Sequence, residues 1–420
     1  MKQRTKPDDW MRRVVAFLAS QCITLFGSSI VQMAIIWYVT LETSSGIWVT
    51  ALTLASSLPQ MLISFFSGVW ADRYSRKLLI ILADGVIAAA TLGLSVFLVS
   101  EHAVENVLPA IIAVSIIRSF GAGVQTPAVN AMIPQLVPEE QLMRFNGING
   151  SIMSMVQFAA PAAAGAILAF GSLVQILYID VITAVIGIAV LSFIRIPQHK
   201  TEPAAEQQAF FAELKAGIRY CVTDKFIGRV LLIYGAFIFL CVPSGFLVAL
   251  MIERTFGSNV WYLSVNEMVG CAGMVLGGLL LGTWGGFANR NKTFALGMIA
   301  YAVFSILLGF TTHFVLFVIL MFCVSFFIPV VQTASMTMLQ EKAVPEMQGR
   351  VFGLLNVMFS GFMPLGMAVF GPMADFVPIG WLMIGTGGII ALIGVLIPGS
   401  KAFYRQGMAA SVPDISAAVE

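Results

Sequence analysis

Long apolar runs alternate with short polar breaks along the whole chain. Twelve runs qualify as candidate membrane spans: about 14–39, 47–70, 78–99, 107–132, 145–168, 171–194, 226–252, 261–284, 293–312, 314–338, 350–374 and 379–399. A helix needs roughly 20 apolar residues to cross a bilayer, and these runs supply them. The break from Gly68 to Lys77 is dense in charge and predicts a tight turn at a membrane face. The longest polar break, 195–225, holds Phe211, Leu214 and Ile218 at helical spacing and predicts a short amphipathic helix lying on the membrane surface. The expected organisation is a six-helix bundle over 1–194, a linker over 195–225, a second six-helix bundle over 226–399 and a tail over 400–420.

Charge fixes an expected orientation. Of the 23 Lys and Arg, all but Arg118 and Arg254 fall in the N-terminal segment, the even-numbered breaks or the tail. The odd-numbered breaks carry Glu42, Glu101, Glu105 and Asp375 instead. The positive-inside rule then places both termini in the cytoplasm. The first apolar run is too long for a signal-peptide core and has no small-residue cleavage site, so it reads as a retained span.

Composition agrees with the pattern. The chain is 59% hydrophobic and 10% charged, against about 25% charged in soluble domains. An all-α polytopic membrane protein is the expected class. The five cysteines are scattered without disulfide or metal spacing, and the three histidines lie far apart. No metal, cofactor or nucleic-acid partner is expected. The chain contains no Walker A segment, no His-Glu-x-x-His and no Gly-x-Ser-x-Gly, so a self-contained ATPase and the commonest hydrolases are not expected either.

The two halves echo each other. Val124-Gln125-Thr126 recurs as Val331-Gln332-Thr333, and Val137-Pro138-Glu139 as Val344-Pro345-Glu346, both at an offset of 207. Both pairs fall near the inner end of the fourth span of their half. A parallel duplication of six spans explains this.

The break after the second span carries Gly68, then Asp72-Arg73, then Arg76-Lys77, with Ser75 between. It resembles the signature loop of the major facilitator superfamily, with Ser75 in place of the second glycine. A weaker second copy runs from Gly282 to Lys292, with Asn289 for the acid. Residues 126–142, 32–38 and 349–353 are similar to the macrolide-efflux branch of the drug:proton antiporters, a branch that also includes siderophore and lysophospholipid transporters. The resemblance implies twelve helices in two rocking bundles in the bacterial cytoplasmic membrane. It also implies that Gly68, Asp72, Arg73 and Arg76 form a conformational latch; Asp84, two turns into the third span, reads either as an extension of that latch or as a snorkelling partner of nearby Arg or Lys.

Three ionisable residues stand out as candidates for proton coupling. Arg118 is the only basic residue deep in a span, and a charge there is expensive and functional by default. The resemblance ties it to proton transfer; a structural ion pair is the other reading. Asp180, in the outer half of the sixth span, reads either as an exchanging acid or as a structural one. Glu267 lies about six residues into the eighth span, at substrate or at headgroups. Pro161 and Gly165 in the fifth span resemble a helix-kink motif of the antiporters, with close packing alone as the alternative. Gln21, Gln32, Trp37, Tyr234, Phe239 and Gln332 are candidates for a substrate cavity.

The expected function is export of a lipophilic or amphipathic compound, macrolide-like, by proton antiport. The expected partners are that small substrate, protons and the lipid bilayer, and a monomer is expected. Transport of a lipid, siderophore or metabolite without drug export is the first alternative. A membrane receptor or scaffold is the second.

Overall fold

The computed structural model describes residues 7–100, 104–138, 141–194, 219–221 and 223–399. Among these it is helical throughout. The predicted linker helix at Phe211–Ile218 lies outside the described residues. The first half contains α1 (Pro7–Thr43), α2 (Gly46–Arg73), α3 (Arg76–Ser100), α4 (Val104–Leu136), α5 (Leu142–Phe170) and α6 (Leu173–Phe193). The second contains α7 (Lys225–Leu240), α8 (Val242–Gly245), α9 (Val248–Phe256), α10 (Val260–Trp284), α11 (Arg290–Phe310), α12 (Phe314–Lys342), α13 (Pro345–Met373) and α14 (Ile379–Gly399).

Eleven of these helices are long and apolar enough to cross a membrane. The difference from the twelve predicted spans lies in the seventh, which is divided into α7, α8 and α9. Pro243 is the physical cause: it has no N–H to give the carbonyl four residues back, and its ring crowds that carbonyl. Ser244 holds the break in place through a 2.7 Å hydrogen bond with the Tyr301 hydroxyl of α11. The predicted turn at 68–77 also shrinks. Helix α2 runs through Asp72 to Arg73 and α3 begins at Arg76, leaving only Tyr74 and Ser75 between them. The intervening Ala71, Asp72 and Arg73 continue the helix beyond the apolar run, so hydropathy alone ends the element too early.

The chain divides into two compact units. Unit 1 contains 1–204, 249–268 and 371–375; unit 2 contains 205–248, 269–370 and 376–420. In unit 1, α2 lies along α4, α3 along α4 and α6, and α1 along α5 and α6. Unit 2 repeats part of this plan: α11, the ninth span, lies along α12 and α14 as the third lies along the fourth and sixth. The core of unit 1 at its basic end joins Phe17 of α1, Ile80 of α3, Met132 of α4, Phe145 of α5 and Leu191 of α6. Outward-facing side chains are apolar as well, with Phe170, Phe193, Val315 and Leu392 exposed. That is the inverse of a soluble surface and suits a hydrocarbon environment, where every backbone polar group must be satisfied within helices.

Candidate functional site

The site is built on α3 and α4, which run antiparallel with two polar rungs between them. The lower rung joins Asp84 of α3 to Gln125 of α4, whose Nε2 donates to the carboxylate at 2.5 Å. The upper rung joins Thr91 of α3 to Arg118 of α4. Both steps are seven residues, two helical turns, so the rungs lie roughly 10 Å apart along one shared face. Asp180 of α6 completes the upper rung. Its Oδ2 forms an ion pair with Arg118 Nη1 and accepts from the Thr91 hydroxyl at 3.1 Å. Arg118 Nη2 also donates to the Ser28 hydroxyl of α1 at 2.9 Å. Four helices therefore meet on one guanidinium.

Burial gives this cluster its energetic weight. Arg118 is 6% exposed, Asp180 2% and Asp84 4%. Isolated charges there would carry a large desolvation cost, and only the pair with its hydrogen bonds offsets it. Arg118 and Asp180, 62 residues apart in sequence, were singled out separately and are brought together. Asp84 lies one rung away, two helical turns from Thr91 along α3.

The remaining predicted residues are distributed as follows. The side chains at Gly68, Asp72 and Arg73 lie outside the described residues. Arg76 donates to the Ala131 carbonyl of α4 at 2.6 Å, and the neighbouring Lys77 donates to the carbonyls of Ser192 and Ile194 at 2.7 and 2.8 Å. The basic residues of this turn thus tie α3 to the ends of α4 and α6. Pro161 is buried in α5, and its carbonyl accepts from Ser264 of α10 at 3.4 Å. Gly165, one turn on, faces Ser264 and Trp37. Glu267 is half-buried on the same helix as Ser264.

The cavity candidates do not share one environment. Trp37 and Tyr234 are buried, Gln21 is buried beside Ser20, and Gln32 is half-buried. Phe239 stacks at a tilt on Phe370 with ring centres 5.2 Å apart. Gln332 is exposed on α12.

A second polar cluster of unit 1 was not singled out from sequence. The start of α2 is capped by a residue from far along the chain. Asp375 accepts from the backbone N–H of Gly46 at 2.6 Å and of Ile47 at 3.0 Å, and from the Ser45 hydroxyl at 3.0 Å. Ser45, the local cap residue, makes no side-chain cap bond of its own. Arg254 binds the Asp375 carboxylate at 2.7 Å and also donates to the carbonyls of Ala374 and Ser44. Glu253 accepts from the Ser44 hydroxyl. Ser44 has φ 48, a left-handed conformation that a non-glycine residue adopts at a cost. The close approach of chain here requires glycine: a Cβ at Gly371 would run into Thr50 and the Gly46 carbonyl. Burial pushes the Asp375 carboxyl up, but the two α2 amides, Arg254 and Ser45 outweigh it and hold it below the usual carboxylate range. The signal in sequence was present: Arg254 is one of two cations outside the positive-inside pattern, and Asp375 is one of the acids opposite.

Comparison with known proteins agrees with this architecture. Macrolide efflux protein A of Streptococcus pyogenes is 30% identical over 395 residues, covering 94% of this chain and 97% of that protein. Macrolide efflux protein A of Enterococcus faecalis is 30% identical over 321 residues, covering 76% of this chain and 98% of that protein. The fold is shared with a bacterial homolog of the human lysosomal transporter Spinster in an inward-facing, unoccupied conformation, at 14% identity and TM-score 0.68, covering 97% of this chain and all of that one. The family profile described as Major Facilitator Superfamily matches residues 17–367 and 268–403. This chain, a multi-pass membrane transporter, belongs to the Major Facilitator Superfamily.

Proposed function

We propose that this transporter exports a lipophilic, macrolide-like compound in exchange for protons, by alternating access. The observation that carries the proposal is the buried Arg118–Asp180 pair with Thr91 and Ser28 at the meeting of four helices. A proton arriving on Asp180 cancels its charge and weakens its hold on Arg118. The guanidinium then rests on Thr91 and Ser28, and the packing of α1, α3, α4 and α6 around it changes. A single proton thereby biases two arrangements of one bundle, which is what coupling requires. The substrate class rests on the macrolide efflux proteins' similarity along nearly the whole chain.

Two experiments test this reading. Cells carrying the transporter are expected to accumulate less of a labelled macrolide than cells without it, and a protonophore is expected to abolish the difference. A difference that survives the protonophore removes proton coupling; no difference for any macrolide removes the substrate class. The orientation in the membrane, both termini cytoplasmic, rests on the basic bias of the breaks. A cysteine replacing Lys200 is then expected to be shielded from an impermeant thiol reagent in intact cells, and labelling there overturns it.

A further inference from the structure

Unit 2 contains an apolar crevice beside the stretch Gly282 to Lys292, away from the Arg118–Asp180 cluster. It has a volume of about 280 Å³ and lies between the end of α10, the first half of α11 and the middle of α12. Leu280 and Trp284 of α10, Phe287 of the connecting turn, Gly297 and Ala300 of α11 and Phe327 of α12 line it. Leu280, Trp284 and Leu296 on its rim are exposed, so the crevice opens toward the surface that faces lipid. From Thr293 to Ala300 it follows α11 for two helical turns, roughly 10 Å. A crevice of that volume with an apolar lining suits a single hydrocarbon chain.

Its mouth is electropositive. Helix α11 begins there, with Asn289 as its cap, so the positive end of the helix dipole points out of the crevice. Lys292 lies in the first turn, exposed, with its ammonium 4.4 Å from the centre of the Phe287 ring. That ring contact fixes the cation directly over a wall of the crevice. Arg290 is held instead by Glu341 at 3.1 Å and the Gly285 carbonyl at 2.8 Å. The turn itself is firm: Phe287 N–H donates to the Thr293 hydroxyl at 2.9 Å. Trp284 packs edge-on against Phe287 at 4.7 Å, at the depth where a tryptophan suits a headgroup boundary.

We infer that this crevice binds one acyl chain of an anionic phospholipid, with the lipid's phosphate at Lys292 and the start of α11. The charge at the mouth selects the headgroup, and the crevice selects a chain over a bulky drug. This does not depend on the exported substrate or on proton coupling.

Trp284 is a built-in reporter. The full chain is reconstituted in phosphatidylcholine vesicles in which a fixed fraction of lipid carries brominated chains, on either phosphatidylglycerol or phosphatidylcholine. The part of the fluorescence lost in Trp284→Phe isolates this residue's signal. Brominated phosphatidylglycerol is expected to quench it about fivefold more effectively than brominated phosphatidylcholine, the preference one Lys near a membrane surface supplies. Lys292→Gln, at an exposed position, is expected to bring the two lipids to equality. Ala300→Phe, which fills the crevice, is expected to lower quenching by both. Equal quenching in the unmodified protein, or a preference that survives Lys292→Gln, overturns the inference.

Discussion

Asp180→Asn is expected to cut proton-driven export at least tenfold while leaving exchange of substrate across the membrane measurable. The amide keeps the shape of the carboxylate and an oxygen for Arg118 and Thr91, but it cannot take up or release a proton. Energy coupling is therefore lost without loss of the cavity. The same change strands Arg118 as a buried cation, and breaking one side of a buried pair costs about 3–5 kcal/mol. Low expression of the single variant is consequently part of the expected result. The double variant Arg118→Gln with Asp180→Asn removes both charges and is expected to restore expression to near the unmodified level. The measurement is accumulation against a proton gradient, together with substrate exchange in the absence of one. If the double variant regains expression but not uphill export, the pair is the coupling element. If it regains export as well, the pair is structural and the proton path lies elsewhere.

The sequence makes the architecture legible because a bilayer imposes long apolar runs whatever else the protein does. Arg118 and Asp180 are legible for the same reason: a charge inside such a run has no cheap explanation. Their partnership is not, because it depends on α3, α4 and α6 being packed together, and spacing along one chain carries no record of that. Thr91 and Ser28 are less visible still, since hydroxyls are common in spans and ordinarily bond their own helix, as Thr91 also does to the Ile87 carbonyl at 2.8 Å. The break in the seventh span hid behind composition: Val242, Pro243 and Phe246 keep the run apolar while Pro243 interrupts its backbone bonds. The clasp on α2 was visible only as two charges that did not fit, Arg254 and Asp375, with nothing to say that they meet.

That clasp leads to the second large effect. Joining Ser45→Cys and Asp375→Cys, whose native side chains are hydrogen-bonded at 3.0 Å, is expected to stop transport almost completely, and a reductant is expected to restore most of it. Asp375 replaces the local N-cap of α2, and Arg254 holds the Ser44 carbonyl at a strained turn. A helix whose cap comes from a distant segment keeps that cap only while the segment stays in place. Losing an acidic cap costs a helix roughly 0.5–2 kcal/mol, small enough to be reversed in every cycle. The clasp is also indifferent to physiological pH. A carboxylate held below its usual range gives stability above about pH 4 and loses it only as pH falls through the lowered value. Opening of the clasp is therefore expected to follow conformation rather than a change of protonation at Asp375. Asp375→Asn should accordingly change the rate of transport about equally at pH 6 and pH 8. If the cross-linked protein transports at the reduced protein's rate, the clasp stays shut throughout the cycle and is only a structural cap.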